Sequence, residues 1–147
     1  MFIKAYEQLR DIELAILRKK RPQGSEPHLA FEVEFLGEDV VGQSGPYKQF
    51  FSSISNEIQP SKNETKLDTH QLGLTVPCAN QRDKEQFGGD KFVLISSELT
   101  QKKLQYFEFL GIIMGVCIRT GINMVLDFPS IFWKQLIGSN PNLDDIF

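Results

Sequence analysis

Between Phe31 and Phe51 the chain reads F-E-V-E-F-L-G-E-D-V-V-G-Q-S-G-P-Y-K-Q-F-F, and its hydrophobic period changes midway. Phe31, Val33 and Phe35 alternate with Glu32 and Glu34, the two-residue period of a half-buried strand. Gly37, Gly42, Gly45 and Pro46 interrupt that pattern. Tyr47, Phe50, Phe51, Ile54 and Ile58 then recur at the spacing of one helix face. The segment therefore predicts a strand over 30–35, a glycine-rich turn and an amphipathic helix over 46–58. Ser44 or Gly45 can cap that helix, and Pro46 suits its first turn.

The other elements are sparser in strand than in helix. Phe2, Tyr6, Leu9, Ile12, Ile16 and Leu17 form one apolar stripe and predict a helix over 2–20. The run from Arg21 to Pro27, R-P-Q-G-S-E-P, ends it. Residues 59–71 are polar and read as a loop; Leu72, Leu74 and Val76 alternate and suggest a short strand. A second polar loop covers 80–90, and Phe92 to Ile95 form another short strand. A long helix is expected from the hydroxyl-rich 97–100 to about Thr120, stopped by Gly121. A last helix starts at Pro129 and ends before Gly138. No repeat or low-complexity tract appears.

Composition excludes several classes. The 147 residues suffice for one domain with a sizeable core. Net charge is −3 and pI about 5.4, so no basic surplus points to nucleic acid or an anionic membrane. Arg18, Lys19, Lys20 and Arg21 form a basic run, which at a helix end reads as a solvated face complementing the helix dipole. Residues 109–118 are apolar but too short for a membrane span, and the charged N-terminus is no signal peptide. Two cysteines without a C-x-x-C pair, and His28 far from His70, give no local zinc spacing. A cytoplasmic, reducing setting with two free thiols is the expectation.

The residues able to carry chemistry are few. Cys117 lies in the most hydrophobic helix and reads as a small buried core residue; Cys78, after Val76 and Pro77, reads as the more exposed thiol, without a histidine near it in sequence. Gly111 and Gly115 make a G-x-x-x-G on the long helix, and their cost in a helix implies that a neighbour packs closely there. Phe128, Phe132 and Trp133 read as core, with Phe132 or Trp133 facing a partner as the alternative. The spacing from Gly37 to Gly42 lacks the Gly-Lys-Ser/Thr ending of a phosphate loop. Glu32, Glu34, Glu38 and Asp39 cluster, but nothing in the sequence supplies the apolar pocket that paired acid–base work needs. No catalytic, cofactor-binding or metal-binding residue is assigned.

Four motifs, in order, resemble the HECT domain, the catalytic module of one class of ubiquitin ligases. They are the F-x-V-x-F strand with its G-E and glycine turn, residues 104–121 (L-Q-Y-F-E-F-L-G-I-I-M-G-V-C-I-R-T-G), residues 124–138 (M-V-L-D-F-P-S-I-F-W-K-Q-L-I-G), and Leu143-Asp144-Asp145. F-F-S-S-I-S-N-E and the R-T-G after the long helix further resemble the large HERC-type ligases. The chain departs from the family pattern at Gly42, Ser44 and Lys48, where Asp, Gly and Arg are frequent. Lys48 keeps the charge but loses the planar fork of an arginine.

The resemblance implies an α+β fold, mostly helical with small antiparallel strands, forming the first part of the family's larger N-terminal lobe over 1–147. It implies a parent that takes ubiquitin from a ubiquitin-conjugating enzyme onto a cysteine of the C-terminal lobe and passes it to lysines of protein substrates. That cysteine and the main docking surface for the conjugating enzyme are expected beyond Phe147, so the chain alone is expected to be inactive. No cofactor, nucleic acid or membrane span is implied. The alternative is a non-catalytic interaction module that binds ubiquitin or acts as a scaffold. Against ubiquitin binding stands P-S-K-N-E-T-K-L after the helix over 46–58, which lacks aromatic anchors.

Two physical expectations complete the reading. The polar segment 61–90 has few apolar anchors and is expected to be the most mobile internal region, cut first by proteases. The helix over 101–120 is apolar nearly all round in its second half and must be covered on every side. An uncovered patch of roughly several hundred Å², with self-association or dye binding, is expected of the isolated chain.

Overall fold

The computed structural model describes residues 1–18, 29–35, 44–59, 72–82, 89–97, 99–142 and 145. The elements run α1 (Phe2–Leu9), α2 (Leu14–Leu17), α3 (Ser44–Ile58), β1 (Thr75–Pro77), a 3-10 turn (Ala79–Arg82), β2 (Phe92–Leu94), α4 (Gln101–Thr120) and α5 (Ser130–Leu136). The described fold is α+β, mostly helical, with one antiparallel two-stranded sheet. The glycine turn over 36–43, most of the basic run, both histidines, most of 61–90 and Leu143-Asp144 lie outside the described residues.

The chain divides into two compact units, each made of two stretches of sequence. The first comprises Met1–Glu57 and Leu99–Val125. Its centre is aromatic. Phe2 and Tyr6 of α1 meet Tyr106 and Phe109 of α4 edge-to-face, at centroid distances of 5.0–5.6 Å. The Tyr6 hydroxyl donates to Gln105 Oε1 at 3.1 Å, and the Phe2 N–H donates to Glu57 Oε2 at 2.7 Å. A second cluster joins Phe31 to Tyr47, Phe50 and Phe51 of α3 at 5.2–6.3 Å. Tyr47 is wholly buried, and its hydroxyl oxygen accepts from the Ala30 N–H at 3.3 Å. Burial pushes the Tyr47 phenol above its usual pKa.

Helix α4 begins and ends where its sequence says it should. The Thr100 hydroxyl accepts from the Lys103 N–H at 3.2 Å, satisfying one of the free donors of the first turn. Gly121 takes φ 72°, which an L side chain resists, and its N–H returns to the Cys117 carbonyl. The Ile122 N–H reaches the same carbonyl at 3.1 Å, and the Thr120 hydroxyl donates to the Val116 carbonyl at 2.8 Å.

The second unit comprises Ile58–Glu98 and Leu126–Phe147. In its sheet Thr75 faces Leu94, Val76 faces Val93 and Pro77 faces Phe92. Bonds from the Cys78 N–H to the Lys91 carbonyl and from the Ile95 N–H to the Leu74 carbonyl, both 2.9 Å, extend the ladder by one residue at each end. The Phe92 N–H instead donates to the Asp127 carbonyl at 2.8 Å. The Thr75 hydroxyl donates to the Ile58 carbonyl, and the Asp127 N–H donates to Gln59 Oε1. The end of α3, the sheet and the entry to α5 are thus joined by polar contacts.

Three sequence expectations are corrected. Within the described part of the helix expected over 2–20 there are two helices, Phe2–Leu9 and Leu14–Leu17, with Glu13 before the second in non-helical geometry (φ −57°, ψ 127°). Residues 30–35 carry no sheet ladder among the described residues. Their alternation survives as burial only, with Phe31, Val33 and Phe35 half-buried and Glu32 and Glu34 exposed. The first strand starts at Thr75, since Gly73 has φ 53° and breaks extension before it; Leu72 and Leu74 are buried all the same.

Candidate functional site

Neither described thiol is prepared for attack. Cys117 is buried on α4, and its pKa is pushed up to about 12 by burial. At neutral pH it stays a thiol. Cys78, beside the start of the 3-10 turn, is half-buried. Burial raises its pKa first, the Asp90 charge raises it further, and Lys91 offsets part of that. A nucleophilic cysteine needs the opposite, a nearby cation that outweighs burial. Among the described residues no group of three His, Cys, Asp or Glu converges as a metal site would. No helix among them is long and apolar enough to cross a membrane. Glu32 and Glu34 are exposed, while Glu38 and Asp39 lie outside the described residues.

Gly111 and Gly115 do not serve close packing. A Cβ built at either would meet nothing within 4 Å beyond the backbone of its own helix. They line an open groove of about 350 Å³ between α2 and α4, walled by Leu14, Leu17, Ile112 and Val116 and edged by Arg18, Glu108 and Arg119. A second hollow of about 350 Å³ lies along α1 and α4, lined in part by Tyr6, Ile12, Gln105 and Ile112. The glycines lower the groove floor. Periodicity places both on the face of α4 opposite Ile113, which is fully buried. On that outward face Leu104 is 46% and Ile118 83% exposed, as the all-round apolar pattern of this helix leads one to expect.

The aromatic group of the second unit is partly outward. Phe128 is buried, Phe132 is half-buried, and Trp133 is exposed on one side while its indole N–H donates to the Phe128 carbonyl at 3.2 Å. The three rings stand 4.5–5.9 Å apart. Sequence reasoning missed Asp145 as an individual residue. Its carboxylate accepts from Lys134 Nζ and from the Asn142 N–H, each at 2.8 Å. The Asn142 N–H and then the Lys134 ammonium hold the Asp145 carboxyl below its usual range. The contact ties Asp145 to Lys134 of α5 and to the Asn142 backbone.

Comparison with known proteins bears on these elements directly. A family model described as "HECT-domain (ubiquitin-transferase)" matches residues 47–147. The chain is 31% identical over 137 residues to the probable E3 ubiquitin-protein ligase HECTD4 of Homo sapiens, covering 93% of this chain and 3% of that protein. It is 28% identical over 120 residues to the human E3 ubiquitin-protein ligase HERC2, covering 82% of this chain and 2% of the relative. With the probable E3 ubiquitin-protein ligase HERC4 of Homo sapiens it shares 27% identity over 115 residues, 78% of this chain and 9% of the relative. No solved structure matches. The chain thus spans only a few per cent of the length of the first relatives it matches.

Proposed function

The chain belongs to the HECT-domain (ubiquitin-transferase) family, and from that premise we propose that it forms the first part of the larger lobe of a ubiquitin-protein ligase. In that ligase a cysteine thiolate attacks the thioester carbonyl that joins ubiquitin to the conjugating enzyme. The new carbon–sulfur bond forms as the old one breaks, and the conjugating enzyme leaves with its cysteine as thiolate. A lysine amine of a protein substrate then attacks the ligase thioester, forming an amide bond and returning the cysteine. The partners are the conjugating enzyme, ubiquitin and the protein substrate.

The part of residues 1–147 in this chemistry is to build the lobe, with the nucleophile supplied from elsewhere in the domain. The observation that carries the reading is the family match over 47–147. The two thiols support the second half of it, since both are held protonated by their surroundings.

Incubated with activating enzyme, conjugating enzyme and ubiquitin, the chain is expected to form no reductant-sensitive ubiquitin adduct. An adduct lost in Cys78→Ser would overturn the assignment of the nucleophile. A chimera tests the family role: the HERC4 ligase domain with its matching segment replaced by residues 44–142 is expected to keep autoubiquitylation. A folded but inactive chimera would count against equivalence of the segments.

A further inference from the structure

The outward face of α4 carries opposite charges that have no ion-pair partner among the described residues. They are Glu108 and Arg119, both exposed. They are eleven residues apart on one helix. That is close to three full turns, so they share a face but stand about 16 Å apart along the axis, too far to meet within one molecule. Gly111 and Gly115 lie between them, open to the approach of another backbone. Leu104 and Ile118 extend the same face as exposed apolar side chains. Arg18, just after α2, borders the groove together with Arg119, adding a second cation.

This arrangement is complementary to itself when reversed. An antiparallel copy of α4, related by a two-fold axis near the midpoint of Gly111 and Gly115, sets Gly111 against Gly115 of the second copy. It sets Glu108 level with Ile118 and beside Arg119 of the second copy, and does the same in reverse. Isologous contacts of this kind make each residue serve twice. A parallel arrangement would put like charges together, at a cost. We propose that the α2–α4 groove is a homodimer interface, in which the α4 helices of two copies of this chain cross antiparallel over Gly111 and Gly115, with Glu108 of each paired to Arg119 of the other.

Sedimentation equilibrium of the whole chain tests this. A reversible dimer is expected, weakening as salt rises because the charge pairs are solvent-exposed. Glu108→Arg and Arg119→Glu are each expected to weaken it by about tenfold or more, and the two together to restore it within about threefold. Gly115→Leu fills the open floor and is expected to abolish the dimer while leaving the monomer folded by circular dichroism, since its side chain starts in empty space. A monomer at about 100 µM, or a dimer indifferent to all of these substitutions, would overturn the proposal. The first outcome leaves the face to another part of a longer protein; the second puts self-association on a different surface.

Discussion

Lys134 Nζ stands 2.8 Å from the carboxylate of Asp145, and the Asn142 N–H reaches the same carboxylate. The folded state therefore prefers Asp145 ionised, and its pKa is lowered. Such a group adds stability that is present above the unfolded carboxylate value, about 3.9, and is lost as pH falls through the lower folded value. Asp145→Asn is expected to lower the thermal midpoint at pH 7, by a deficit that shrinks as pH falls below the unfolded carboxylate value. Melting curves across pH 2–7 check this; a deficit persisting undiminished at low pH would remove the ionic explanation.

Phe109 meets Phe2 and Tyr6 edge-to-face and is almost completely buried. Phe109→Ala leaves a cavity between α1 and α4 and is expected to cost about 3–5 kcal/mol, measured by urea unfolding. A cost under about 1 kcal/mol would mean that the α1–α4 contact contributes little to the fold.

The thiols should differ in reactivity. Cys78 is half-buried with a raised pKa, so its alkylation by iodoacetamide is expected to be slow at pH 7 and to accelerate above pH 9, as the thiolate appears. Cys117 is expected to stay unlabelled until the protein unfolds. Mass spectrometry of tryptic peptides after timed labelling decides; labelling of Cys117 first would contradict its burial.

Gly121 holds φ 72° at the end of α4. Gly121→Ala is expected to destabilise by about 1–2 kcal/mol, because Cβ meets the following carbonyl in that conformation. Thr100→Ala at the other end removes the cap to Lys103 and is expected to cost about 1 kcal/mol. Chemical denaturation of each variant provides the comparison.

What could be read from the sequence was punctuation and face. Thr100, Gly121 and Pro129 mark helix ends through local chemistry, and α4 and α5 begin and end beside them. The aromatic spacing of α3 was similarly local. Hydrogen-bond partners were not local. The alternation of Phe31, Val33 and Phe35 states which side chains share a face, but a strand also needs a neighbour, and none is present among the described residues. In the first helix, Ile12 and Ile16 fitted the stripe of Phe2 and Tyr6 although the backbone turns at Glu13; a turn of few residues leaves a hydrophobic period nearly intact. The glycines of α4 misled for a different reason. Glycine is required where a neighbour is close, but it is equally compatible with open space, and only the position of α2 distinguishes the two.

The aromatic centre of the first unit joins residues far apart in the chain: the Tyr6 hydroxyl binds Gln105, ninety-nine residues later. On a ribosome, α1 emerges before α4, and its rings have no counterpart until α4 follows. At about 5–20 residues per second, that interval is roughly 5–20 s. The second unit opens and reaches its strands within the same interval, because residues 58–98 intervene. The nascent chain therefore carries the exposed rings of Phe2 and Tyr6 throughout that interval, and a chaperone has its opportunity there.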